Sequence, residues 1–92
     1  DHFGALVYYG FDRDPAAARS RAAPYIPRGR VDDATLAACT AFGPPAVLVE
    51  RLEQYVRAGG SKFVVRPMVP PEMLLDQLGE LAAEVVPVFH AR

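Results

Sequence analysis

Apolar positions along the chain fall into short blocks set apart by proline and glycine. Phe3-Gly4-Ala5-Leu6-Val7-Tyr8-Tyr9 is a nearly continuous apolar run that Gly10 ends. Such a run suits a strand buried on both faces, as in a parallel sheet, better than a half-exposed strand, which alternates. Asp14-Pro15 then opens an alanine-rich stretch over 16–23, with aspartate as N-cap and proline at the first helical position; Pro24 limits this helix to about two turns. Residues 25–33 read as an irregular surface loop in which Asp32 or Asp33 caps a short turn. The small-residue run 36–41 is a second buried strand or part of a helix; periodicity does not separate the two at this length, and the reading leans to strand.

The later signals are sharper. Phe42-Gly43-Pro44-Pro45 is a turn into a helix over 46–58, in which Leu48, Leu52, Tyr55 and Val56 recur at helical spacing. Glu53 and Arg57 form an i,i+4 pair in the favourable order, and Gly59-Gly60 supplies the left-handed residue that ends helices. A β-rich run over 61–66 stops at Pro67. Val69-Pro70-Pro71 then leads into a helix over 72–86, with Leu74, Leu78, Leu81 and Val85 on one stripe, Leu75, Ala82 and Val86 beside it, and Pro87 closing it. Strands alternating with amphipathic helices imply parallel pairing through crossover helices, hence an α/β fold.

Ten basic and 11 acidic side chains leave a formal net charge of −1, so the chain carries no electrostatic footprint for nucleic acid or an anionic membrane. Its apolar runs fall short of the roughly 20 residues a membrane-spanning helix needs. The single cysteine, Cys39, excludes an internal disulfide and a multi-cysteine metal site. With 51% hydrophobic residues in 92, the chain is expected to need a partner surface. It opens at Asp1 with no basic-plus-apolar leader and is read as a processed product or a fragment, located in the cytoplasm.

Residues 42–67 carry a resemblance. Gly43-Pro44, Glu50-Arg51-Leu52, Tyr55-Val56, Ala58-Gly59 and Phe63-Val64-Val65-Arg66-Pro67 stand in the order and spacing found near the C-terminal end of the luciferase-like monooxygenases, which are flavin- or deazaflavin-dependent oxidoreductases. Leu81-Ala82-Ala83-Glu84-Val85-Val86-Pro87 is similar to that family's closing helix. The first strand with Asp14-Pro15-Ala16-Ala17-Ala18 resembles an earlier strand and helix of such chains. The resemblance implies that residues 1–92 form the C-terminal third of a (β/α)8 TIM barrel, incomplete as a domain, since such barrels run to about 250 residues. It implies FMN or a deazaflavin (coenzyme F-420 type) as cofactor and a small organic molecule as substrate, the segment alone being inactive. The alternative is a stand-alone small α/β module that self-associates or binds a partner without catalysis.

In a parallel barrel the chemistry sits at the C-terminal strand ends. That geometry picks out Arg66, whose planar fork suits a phosphate or carboxylate, together with Tyr8 and Tyr9, as cofactor- or substrate-binding residues. Thr40 ends the doubtful middle strand. A structural salt bridge for Arg66 and core packing for both tyrosines are the plainer readings. Arg19, Arg21, Arg28 and Arg30 can rim an anionic pocket or lie in a solvated loop. Both helix starts after Gly43 and Val69 begin Pro-Pro, which removes the backbone N–H groups that would hold a phosphate. His2 and His90 lack companions at metal-ligand spacing, Cys39 reads as a buried inert thiol, and Ser20 and Ser61 lack any triad context. No catalytic residue or metal ligand is expected; in flavin-type enzymes the cofactor carries the redox chemistry.

Overall fold

A computed structural model describes residues 4–26, 32–60 and 62–90. The elements run β1 (Gly4–Phe11), α1 (Pro15–Ala22), α2 (Asp33–Ala38), β2 (Thr40–Gly43), α3 (Pro45–Arg57), β3 (Lys62–Pro67), α4 (Leu74–Glu84) and α5 (Val86–His90), with short 3-10 turns at Ala23–Tyr25 and Pro71–Met73. The three strands make one parallel sheet in the order β2–β1–β3. The class is therefore α/β.

Side-chain alternation decides what each face buries. Val7, Tyr9 and Phe11 of β1 join Ala41 of β2 and Leu48, Leu52 and Val85 in the main core, with Phe63 and Val65 of β3 packed against it. Burying a leucine such as Leu48 completely contributes about 1.5–3 kcal/mol. The opposite face carries a smaller core of Ala18, Ala22, Phe42 and Met68, with Tyr8 and Ile26 beside it. Thus α1 covers one face while α3, α4 and α5 cover the other. Two crossovers of one hand that run in opposite directions along a sheet place their helices on opposite faces. The chain does this by going from β1 to β2 and then back across β1 to β3.

This arrangement departs from the barrel order that the resemblance implies. Consecutive barrel strands are neighbours and every barrel helix lies outside; here β3 pairs with β1, and the helices lie on both faces. The burial pattern accords with this order. β1 is apolar on both faces and takes the centre, whereas β3 alternates exposed and half-buried residues, the pattern of an edge strand.

Local expectations need three corrections. Residues 36–41 are not one strand: Asp32 accepts a hydrogen bond from the Thr35 backbone N–H at 2.7 Å and caps α2, which runs to Ala38, and β2 begins only at Thr40 and includes Phe42 and Gly43. β1 passes through Gly10 to Phe11; a Cβ at Gly10 would meet the Phe42 ring only at an ordinary contact distance of 3.4 Å. The last helix breaks at Val85, because Pro87 has no N–H to give and its ring crowds the preceding turn. Pro87 then sits in the first turn of α5, where a proline costs little.

The end of α3 matches its sequence signal. Gly59 has φ +98°, and the Gly60 N–H reaches back to the Tyr55 carbonyl at 2.7 Å. A Cβ at Gly60 would lie 2.9 Å from that carbonyl oxygen.

Candidate functional site

The register of the sheet sets Thr40, Tyr8 and Arg66 side by side across β2, β1 and β3. Register partners on parallel strands share a face, so the three side chains form one row on the face away from the main core. The row crosses the start of β2, the middle of β1 and the end of β3; Thr40 opens its strand and does not end it. Tyr8 is half-buried and Arg66 exposed. Among the described residues Arg66 makes no hydrogen bond or ion pair. The Thr40 hydroxyl donates to the Ala37 carbonyl at 3.1 Å and keeps lone pairs free. Below the row Leu6 is 39% and Val64 59% exposed, and among the described residues α1 covers only the upper part of this face. An unpaired guanidinium beside a phenol, on a face that excludes little water, suits an anionic group.

Tyr9 does not join them. It points to the opposite face, is 0% exposed, and stacks against Phe11 with ring centroids 4.8 Å apart. Among the described residues its hydroxyl has no hydrogen-bond partner, and burial pushes the phenol pKa up to about 12. Arg21 is held structurally: it pairs with the Asp12 carboxylate at 3.1 Å and donates to the Phe11 carbonyl at 3.0 Å. The Asp12 carboxyl lies below the ordinary carboxylate range, first because it accepts from the Asp14 N–H and then because of Arg21. Arg19 is exposed and lines an open cleft of about 350 Å³ with Ile26, Leu36, Thr40 and Phe42. Arg28, Arg30, His2 and Ser61 lie outside the described residues.

A node at the strand ends escapes a reading of the sequence. Gln77 of α4 is only 4% exposed. Its Oε1 accepts from the Phe11 N–H at 2.8 Å, and its Nε2 donates to the Phe11 carbonyl at 3.2 Å. These backbone groups face the β3 side, where β3 has already ended, so one side-chain amide replaces the missing strand. The signal was faint: Gln77 precedes Leu81 and Val85 by one and two helical turns and so shares their face. Consequently α4 is rotated from its apolar stripe, and Leu74, Leu75 and Leu78 are exposed, Leu75 by 84%. Beside this node an open cleft of about 430 Å³ is lined by Phe11, Asp12, Arg13, Pro44, Pro45 and Glu80.

A second polar group ties α3 to α2. Arg51 Nε donates to the Thr40 carbonyl at 3.2 Å, and the Tyr55 hydroxyl donates to the Ala38 carbonyl at 2.9 Å. Desolvation, and after it the adjacent Cys39, pushes the Tyr55 phenol up. The Tyr55 bond satisfies a carbonyl left over at the end of α2, and the Arg51 bond covers the first carbonyl of β2. Among the described residues no group of three or more His, Cys, Asp or Glu side chains comes together to hold a metal, and no helix is long and apolar enough to cross a membrane. No family model, curated protein or solved structure matches this chain.

Proposed function

We propose that the chain is the C-terminal part of a flavin- or deazaflavin-dependent oxidoreductase or monooxygenase acting on a small organic substrate, as its resemblance to the luciferase-like family suggests. The observation that carries this reading is the Thr40–Tyr8–Arg66 row on a half-covered sheet face. Parallel sheets are covered on both faces in finished domains, so the exposed part around Leu6 and Val64 calls for more polypeptide, as the interior of a barrel would provide. The chemistry of the row fits the anionic end of FMN or a deazaflavin: Arg66 would bind its phosphate or carboxylate, and Tyr8 and Thr40 would orient it by hydroxyl hydrogen bonds. The cofactor, when bound, supplies the redox chemistry. The row depends on β2 and β3 both pairing with β1, as they do here, and not on the chain-order pairing of a closed barrel.

The strand order β2–β1–β3 favours a second reading, a small α/β module that binds a partner or a second copy without catalysis. The test is to purify the protein from its native source and record its absorbance spectrum and its turnover with reduced FMN or reduced deazaflavin. The oxidoreductase reading expects a longer chain with cofactor-dependent turnover that drops about tenfold or more in Arg66→Ala, the loss of one charge-assisted contact. A discrete, cooperatively melting species of this size with no affinity for either cofactor would contradict it and leave the module.

A further inference from the structure

The two edges of the sheet are not alike. In parallel strands the N–H and C=O of one residue point to the same side. The Cys39 and Gly43 carbonyls accept from β1, so Thr40 and Phe42 face outward on β2, and Arg51 covers the Thr40 carbonyl there. On β3 the Met68 N–H bonds to the Tyr9 carbonyl, which turns Phe63 and Val65 outward together with the Pro67 carbonyl. Among the described residues nothing bonds these groups. Pro67, lacking an N–H, stands at an outward position where no donor is lost.

Two further features lie along this open edge. On its core side a groove of about 400 Å³ is lined by Phe63, Val65, Leu81, Val85, Val86 and Phe89, among others. On its other side Lys62, Val64 and Arg66 stand in a line, all exposed, with Val64 at 59% and neither cation paired among the described residues. A symmetric antiparallel pairing of two copies about Val64 would set Lys62 of one opposite Arg66 of the other, and like charges directly opposite are destabilising. In that register the edge is ill-suited to itself.

We propose that the β3 edge takes up an extended segment of another polypeptide whose side chains alternate apolar and acidic. Its apolar side chains fill the groove beside Phe63 and Val65; its acidic ones pair with Lys62 and Arg66. Because the two cations lie symmetrically about Val64, acids at ±2 from the centre of the added strand serve in either direction. This inference does not rest on the oxidoreductase reading and competes with it for Arg66.

The test adds an eight-residue alternating Val–Glu peptide, or a Val–Lys peptide, to the full 92-residue chain and follows amide hydrogen exchange with binding by fluorescence anisotropy. The Val–Glu peptide is expected to bind and to slow exchange at Phe63 and Val65, while the Val–Lys peptide does not bind. The Lys62→Glu/Arg66→Glu double variant should weaken the first peptide about tenfold and gain the second. The proposal is overturned if the Val–Glu peptide does not bind, if both peptides bind alike, if Phe63 and Val65 stay unprotected, or if the chain pairs with itself through β3.

Discussion

Gln77→Leu removes both hydrogen bonds to Phe11 while nearly preserving volume. The two lost bonds are not equivalent. The Phe11 carbonyl keeps Arg21 Nη2 at 3.0 Å, whereas the Phe11 N–H loses its partner at 2.8 Å in a buried site. Each lost bond is worth about 1 kcal/mol and the orphaned N–H costs about 1–3 kcal/mol more. Extra apolar burial returns about 1–2 kcal/mol. The net loss is about 1–4 kcal/mol, which lowers the melting temperature of a domain this size by roughly 5–30 °C. Thermal and urea unfolding followed by circular dichroism measure it. Adding Arg21→Ala should cost more than the sum of the two changes, since both Phe11 groups then lack partners. Gln77→Glu supplies a control with a sign. Burial raises the carboxyl pKa, and the protonated acid can replace the lost donor. Its contribution is therefore fully present below the ordinary glutamate pKa and fades as pH rises through the folded value. A Gln77→Leu variant as stable as the parent, or a Gln77→Glu variant with no such pH dependence, would refute the view that this amide stands in for a strand.

Tyr9→Phe removes a buried hydroxyl that has no partner among the described residues and should raise stability by about 1 kcal/mol at neutral pH. With the folded phenol at about 12, the parent should lose stability as pH rises from the ordinary tyrosine value toward 12, since the unfolded chain ionises first; alkaline urea titration of the two proteins shows this slope reduced in the variant. Asp12 has a lowered folded pKa, so its contribution holds above the ordinary carboxylate range and is lost as pH falls through the folded value; Asp12→Asn should flatten that part of the acid unfolding curve. Gly59→Ala at φ +98° should cost about 1 kcal/mol, and Gly60→Ala more, because its Cβ would meet the Tyr55 carbonyl at 2.9 Å; urea midpoints measure both.

What the residues disclosed depended on whether the signal was local. The apolar run of β1, the Asp14-Pro15 start of α1, the 3.6-residue stripe of α3 and its Gly59-Gly60 end all act within one element and were legible. The rotation of α4 was not. It follows from one amide reaching across 66 positions to Phe11, and a leucine stripe gives no warning of it. Strand order is also non-local: nothing in 36–41 or 62–67 shows that both strands flank β1. The same holds for the candidate site. Arg66 and Tyr8 were legible as strand-borne polar residues, but their shared face with Thr40, and the removal of Tyr9 to the core, depend on pairing register, and a slip of one residue would exchange the two tyrosines.

On the proposed reading the Thr40–Tyr8–Arg66 row receives the anionic end of a flavin-type cofactor. The direct measurement is a titration of the chain with FMN, and with a deazaflavin, followed by amide and side-chain NMR shifts. A cofactor held there gives saturable shifts centred on Thr40, Tyr8 and Arg66, little change at Tyr9, and loss of those shifts in Arg66→Ala. Shifts that gather at the cleft of Asp12, Arg13 and Glu80, or that survive Arg66→Ala unchanged, would contradict it.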